Sequence, residues 1–521
     1  MNLTRALGSI GGLTLASRVL GLVRDALFFR FVGANFASDA FQIAFRLPNM
    51  FRALFAEGAF NAAFIPLFNR KVADPTGRGL PDGLAFAEDA LSVLLPVLIL
   101  MTGLVEIAAW PVTWLLTFGF NDATDAQFAQ VVQLARLTFP YLMLISLVSL
   151  LGGILNSLHK FWINAAAPIL LNLTLIGALL FFHTDVPILT ARNQAIAVTV
   201  AGALQLLWLW LACRAAGVRL RLKRPRLNAD VKRLLSLIWP AAAGAGAVQI
   251  NLVVSTALAA SLLPAGSVSY IYAADRLNQL PLGLIGIGLG TVLLPTISRL
   301  LGKGEEAAAM ETQNRGMELA LFLTLPATAA LIVCGVPIAA ALFQHGKFGM
   351  DDTLFTAQAL AAFSVGLPSY ILVKVLTPGY YARSDTRTPV RYATISMVVN
   401  LVLNLALIVP LQHMGPPLAT AIASTVNVAL LYRTLAKRGQ FVPDRQLRRR
   451  APRLLVAALA MGGTMFFLND LFTPYVTGST VERWGALVVL VGTGGLVYAA
   501  ATVLTGAVRP ADLKRLIRRP A

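Results

Sequence analysis

Apolar residues run along this chain in long, nearly unbroken windows, not in the strict alternation of a half-buried strand or the single stripe of a soluble helix. Windows of spanning length fall at 10–33, 37–66, 89–117, 129–156, 161–183, 193–215, 233–262, 268–298, 315–343, 355–382, 389–410, 416–436, 452–472 and 484–507, separated by short polar or charged loops. A helix rises about 1.5 Å per residue and a hydrocarbon core is about 30 Å thick, so roughly 20 apolar residues make one crossing. The pattern predicts an all-α polytopic membrane protein with about fourteen transmembrane helices.

The windows repeat weakly. Arg46-Leu47 of the second window returns as Arg276-Leu277 of the eighth, and IPLFNR at 65–70 as LPTISR at 294–299. Pro140 and Asn172 return as Pro368 and Asn400, each 228 residues on. One spacing recurring across four windows predicts two six-helix lobes, and six being even gives them the same orientation, related by a pseudo-two-fold axis along the membrane normal. The expected division is a first lobe at 1–227, a second at 228–440, and the last two helices with a basic tail at 441–521.

Composition supports the membrane reading. The 521 residues are 57% hydrophobic and only 13% charged, with a mean hydropathy of +0.72, against about 25% charged in soluble domains. A soluble globular enzyme is excluded. The net charge of +19 would suit a nucleic-acid partner, but its distribution suits a membrane. An even helix count puts both termini on one side, and the loops of that side hold nearly all the Lys and Arg, notably at 70–78, 214–233, 299–315, 383–391, 433–453 and 509–519. The opposite loops hold only Arg30, Arg192, Lys347 and Arg483. This positive-inside bias predicts cytoplasmic termini, with the basic runs at 219–226 and 445–453 lying near anionic lipid; no nucleic-acid partner is expected. The N-terminal window has one early cation, Arg5, further arginines within its apolar stretch and no small-residue cleavage site, and reads as a spanning helix and not a signal peptide.

Charges inside the first two windows carry the functional signal. An Arg, Lys or Asp at the centre of a spanning helix costs about 2.5–3.5 kcal/mol of insertion free energy, yet these windows hold Arg18, Arg24, Asp25, Asp39, Arg46, Arg52 and Glu57, with Pro48-Asn49 expected to break the second helix. At about 100° per residue, Arg18 and Asp25 share a face, as do Asp39 and Arg46; Arg24 projects away from Asp25 and Arg52 nearly opposite the Asp39 stripe. The eighth window adds Asp275 and Arg276, followed by Asn278, Gln279 and Pro281, and the tenth adds Lys374 before Pro378-Gly379. The bland alternative pairs Arg18 with Asp25 and Arg46 with Asp39 to fix helix register. Across the set, however, the cations outnumber Asp25, Asp39, Glu57 and Asp275. Unbalanced arginines suit a wet central cavity for an anionic, phosphate-bearing substrate, because the guanidinium fork matches phosphate bidentately.

Other features are weaker. Gly283, Gly286, Gly288 and Gly290 precede no GKS/T and follow no strand, so they read as close helix packing. The four histidines lack ligand spacing, and the two cysteines, Cys213 and Cys334, lie in apolar segments, so no metal site, disulfide framework or other cofactor is expected. No nucleophile or acidic metal motif argues for bond-making chemistry.

The segment SRVLGLVRDALFFRFVGANFASDAFQIAFRLPNMFRALFAEGAF at 17–60, with SVSYIYAADRLNQLPLGLIGIGLGTVLLP at 267–295 and LVKVLTPGYYARSDTRTPV at 372–390, closely resembles the MurJ/MviN lipid II flippases of the multidrug, oligosaccharidyl-lipid and polysaccharide exporter superfamily. The resemblance covers essentially the whole chain. It implies a multi-pass protein of the bacterial inner membrane that serves peptidoglycan synthesis and cell shape, carrying the undecaprenyl-diphosphate-linked precursor outward by alternating access. It also implies substrate-binding roles for Arg18, Arg24, Arg52 and Arg276, accompanied by Ser17, Asp25, Asp39 and Ser269. Asn49, Glu57 and Asp275 join them as candidates, and Arg46 and Lys374 as secondary ones. Helices 13 and 14 are expected to form a groove for the lipid tail. Where some relatives have a glutamate, this chain has Gln279.

The expected partners are lipid II and membrane lipids, with cell-wall synthesis machinery admitted, and the expected state is a monomer. Coupling is to the membrane potential or to a monovalent cation whose ligands have no assigned positions here. Three readings compete: a flippase for another polyprenyl-linked glycan, a non-transporting scaffold for cell-wall synthesis, and a membrane-embedded transferase or phosphatase. The sparse outer loops and the missing motifs count against the last two.

Overall fold

The computed structural model describes residues 3–56, 59–120 and 123–508, without the side chains of 3–10, 47, 51, 53–59, 239–248, 250, 287 and 291. The described residues form nineteen α-helices and one 3₁₀ turn, with no strand. Nine predicted windows are single helices: α1 (Leu3–Val32), α8 (Phe161–Phe181), α9 (Pro187–Ala215), α10 (Ala229–Leu262), α11 (Ser267–Gly302), α16 (Arg387–Leu411), α17 (Gly415–Lys437), α18 (Arg445–Val476) and α19 (Thr480–Leu504). The other five contain two helices each: α2 (Phe36–Ala56) with α3 (Ala59–Ala73), α4 (Leu80–Ile107) with α5 (Ala109–Thr117), α6 (Asp125–Thr138) with α7 (Tyr141–Ser157), α12 (Glu306–Val333) with α13 (Gly335–Phe343), and α14 (Met350–Val365) with α15 (Leu367–Tyr381).

Proline explains four of those divisions. Its ring lacks an N–H and clashes with the carbonyl four residues back, so an α-helix stops before it and can restart with proline in the new first turn. Pro111 and Pro337 are each the third residue of a new helix, α5 and α13, and α4 and α12 end four residues before them, at Ile107 and Val333. Pro140 follows the end of α6, and Pro368 is the second residue of α15. Both halves of the repeat are thus interrupted in the same two places. Pro48 behaves differently from expectation: α2 continues through it to Ala56, so the break expected at Pro48-Asn49 does not occur.

The chain divides into two units, residues 1–269 with 346–348, and 270–345 with 349–521. In the first, α1 packs along α8, α8 and α7 along α9, and α2 against α6, α7 and α9. The first unit also includes α10, which packs on α2, α3, α4 and α5. Its core is built of large side chains, among them Phe29, Phe60, Phe64, Phe68 and Tyr141, all fully buried. In the second unit α16 and α17 form a hairpin, α15 packs on α12 and α17, and the hairpin of α18 and α19 packs on α12 and α13. The apolar side chains of each unit also lie outward: Leu100, Phe181, Phe467 and Leu496 are well exposed. Ten described helical segments are long and apolar enough to cross a membrane, and the first two windows, which hold the charges, are not among them. This is a polytopic membrane protein whose outward apolar surface is its lipid face.

Candidate functional site

In the first unit the site is built on α1. Arg24 and Asp25 are 8% and 4% exposed, which is unusual for charged residues unless they are paired. The Arg24 guanidinium donates from Nε and Nη2 to Asp25 Oδ1 at 3.0 and 2.6 Å, and from Nη1 to Asn172 Oδ1 at 3.1 Å. Asn172 of α8 in turn donates from Nδ2 to the Ser17 carbonyl at 2.9 Å, with Ser17 Oγ at 3.4 Å. Asn172 thereby satisfies a guanidinium and a backbone carbonyl inside an apolar helix pair. Gly21 lies opposite that amide.

The alternative pairing of Arg18 with Asp25 does not form. Arg18 is exposed and makes no ion pair among the described residues, while Asp25 is taken by its neighbour Arg24. Helical azimuth separates neighbours by about 100°, but a guanidinium on a three-carbon stem can fold back across that angle, and periodicity registers only where side chains begin.

On α2, the pairing of Asp39 with Arg46 is also replaced. Asp39 is buried and accepts hydrogen bonds from the backbone N–H groups of Gly266 and Ser269, at 2.7 and 2.8 Å, and from Ser269 Oγ at 2.6 Å. Ser38 Oγ sits 2.7 Å from the same Ser269 hydroxyl. These N–H groups flank the start of α11, where the first-turn donors have no partner within the helix and the dipole is positive, so a carboxylate satisfies both needs. Arg46 instead donates from Nη2 to Thr256 Oγ1 of α10 at 3.0 Å. Arg52 donates from Nε to Asn49 Oδ1 at 2.9 Å, one turn back, both side chains being half-buried. Glu57 lies outside the described residues.

In the second unit, Asp275 and Arg276 are half-buried on α11. Arg276 Nε donates to Tyr272 Oη at 3.0 Å and its guanidinium lies over the Tyr272 ring, 5.1 Å from the centroid. Gln279 donates from Nε2 to Asp275 Oδ2 at 2.5 Å; a glutamate there would instead set two carboxylates one turn apart. Lys374 of α15 is exposed. A Cβ on Gly286 would come within 2.5 Å of its Nζ, so the close packing read from the glycines is, at Gly286, a berth for this ammonium.

Similarity to known proteins decides the family. The family model described as lipid II flippase MurJ matches residues 29–484. The chain belongs to the MurJ lipid II flippase family. A probable lipid II flippase MurJ of Rhizobium tropici is 40% identical over 525 residues, covering 100% of this chain and 97% of the relative. Among solved structures, a lipid II flippase MurJ in an inward closed conformation shares the fold with a TM-score of 0.80 at 24% identity, covering 98% of this chain and 99% of that one. An inward-facing multidrug resistance MATE family transporter of the MOP superfamily follows with a TM-score of 0.65 at 16% identity, covering 82% and 97%. The MurJ family is one of transporters, which removes the transferase and phosphatase readings.

Sequence reasoning missed several residues of this MurJ-family chain. Asn172 was visible only as a repeat marker, although a carboxamide in an apolar window already asks for a polar partner. Glu106 and Arg136 were passed over inside the third and fourth windows; with Thr113 they line a small pocket among α2, α4, α5 and α6. One is an anion and one a cation, so the excess of intramembrane cations is unchanged.

Proposed function

We propose that this chain is a lipid II flippase of the bacterial inner membrane, with both termini cytoplasmic, moving the undecaprenyl-diphosphate-linked peptidoglycan precursor to the outer leaflet by alternating access. The observation that carries the reading is the Arg24–Asp25–Asn172–Ser17 network, a charged group held ready inside an apolar helix pair, in a chain that belongs to this family. Positive-inside asymmetry supports the orientation. Arg18 and Arg52 are the more accessible cations and meet the diphosphate first; Arg24 follows, exchanging Asp25 for phosphate oxygens. Arg276 and Lys374 supply the second unit's charge. Ser17, through Asn172, and Asn49 keep Arg24 and Arg52 oriented, Asp39, Ser269, Asp275 and Glu57 are further candidates for the substrate path, and the polyprenyl tail stays in lipid beside α18 and α19, whose outward faces are apolar at Phe466, Phe467, Val488 and Leu496. The chain acts as a monomer.

The test is to deplete the protein in its host and measure how much lipid-linked precursor a probe confined to the outer face can reach. A rapid fall in accessible precursor as the total pool rises is expected. Unchanged accessibility despite a growth defect would replace this reading with another polyprenyl-linked glycan or a scaffold role.

A further inference from the structure

The segment between α9 and α10 has no regular secondary structure and is tied to α4 by a few polar contacts. Gly217, in the left-handed region at φ 78°, ends α9, and Val218 N donates to the Cys213 carbonyl at 2.9 Å. Beyond it, Arg221 N donates to Glu88 Oε1 at 3.0 Å, and Lys223 Nζ pairs with Glu88 Oε2 at 2.9 Å and Asp89 Oδ1 at 3.4 Å. Asn228 closes the run: its Nδ2 donates to Asp89 Oδ2 at 2.7 Å, while its Oδ1 caps α10 by accepting from Val231 N. Leu222 is 69% and Leu227 58% exposed. Arg219, Arg221, Arg224 and Arg226 are exposed too, and none of them makes an ion pair among the described residues.

The aromatic residues of α8 and α9 fix the depth of this segment. Trp162, Trp208 and Trp210 are exposed, with Arg214 stacked 4.4 Å from the Trp210 ring, and exposed tryptophans mark the headgroup level of a membrane helix. From Trp210, α9 runs only to Ala215, about 7 Å further at the helical rise. The segment therefore leaves its helix at the height of the lipid phosphates and re-enters at α10.

We propose that residues 219–227 form a strap lying on the membrane surface, its four free arginines binding the phosphates of anionic phospholipids and Leu222 and Leu227 dipping into the headgroup boundary. The Glu88–Asp89 pair ties the strap to the protein through Lys223 and Asn228 and leaves the four exposed arginines available to lipid. Basic segments beside an anionic leaflet are attracted within a Debye length, and apolar side chains add to that binding. The inference rests on the proposed cytoplasmic placement of this loop.

The test uses the full chain in nanodiscs with a solvent-sensitive fluorophore at Leu222→Cys; the two native cysteines are buried. In discs containing phosphatidylglycerol, the emission should shift to the blue and be quenched by brominated acyl chains. In pure phosphatidylcholine it should not, and salt near 1 M, where the Debye length is about 3 Å, should reverse the shift. Replacing Arg219, Arg221, Arg224 and Arg226 by Gln should abolish the lipid dependence. Equal emission in both lipids, or a blue shift that survives the four substitutions, overturns the strap. Labelling of the same cysteine from outside intact cells by an impermeant reagent overturns instead the cytoplasmic placement, and with it the leaflet assigned.

Discussion

At the scale of single residues, the site depends on which polar atom satisfies which charge. Arg24 has two partners, an acid beside it in sequence and an amide 148 residues away, and Asn172 serves two masters by also holding the Ser17 carbonyl. Asn172→Leu is nearly isosteric but leaves a buried guanidinium nitrogen and a carbonyl without these bonds, at about 1–3 kcal/mol. We expect a lower thermal midpoint in detergent and at least a tenfold loss of flipping in reconstituted vesicles; wild-type values for both would remove Asn172 from the site. Asp39 fills a comparable role at the start of α11, where Asp39→Asn keeps one acceptor and Asp39→Ala keeps none. Thermal unfolding should rank wild type, Asn and Ala in that order, with the Ala variant lower by about 1–2 kcal/mol, as for other lost caps. Asp39 was legible as a charge out of place in an apolar window, Asn172 only as a marker of the repeat. Their partners were not, because spacing along one helix says nothing of what the next helix presents.

At the scale of elements, polar networks fasten helix ends that apolar packing alone would leave free to slide. Glu318 of α12, buried, accepts from Arg315, Gln446 and Arg450, and Arg315 also pairs with Asp444, the residue capping α18. Glu318→Ala leaves these arginines without their shared acid. Loss of one partner of a fully buried pair costs about 3–5 kcal/mol, and Arg315 is a third exposed, so a loss of about 2–3 kcal/mol is expected, read as a lowered unfolding midpoint. A second fastening holds the loop between α15 and α16. Arg438 donates to Asp385 at 2.7 Å, and Thr388 donates to it from both backbone and hydroxyl. These bonds, that of Arg438 foremost, hold the Asp385 carboxyl at about 2, below the ordinary aspartate value near 3.9. A depressed acid stabilises the fold fully above its unfolded value and loses that contribution as pH falls through its folded one. Stability should therefore drop between about pH 4 and pH 2, and Asp385→Asn should flatten that part of the profile; an unchanged acid limb would show that the loop carries no linked stability.

For the whole molecule, the charge of the proposed lipid-diphosphate substrate sets how the membrane potential acts on its movement. An anionic lipid moving outward is favoured by an inside-negative potential, by about 2.3 kcal/mol per charge per 100 mV. Dissipating the potential in cells or vesicles should lower the precursor accessible at the outer face severalfold without altering the amount of protein, and accessibility that ignores the potential would point to an ion gradient as the driving force. What the sequence determined by itself was the all-helical membrane character of the chain, the recurrence of Pro140 at Pro368 and the presence of costly charge in the first two windows, because hydropathy, residue identity and net charge are properties of the chain alone. Tertiary structure decided the rest. It gave Asp25 to Arg24 and not to Arg18, gave Asp39 to the N-terminus of α11, and packed α10 on α2, α3, α4 and α5 within the first unit. Those outcomes depend on side-chain reach and on the faces of helices distant in sequence, neither of which a period of 3.6 residues contains.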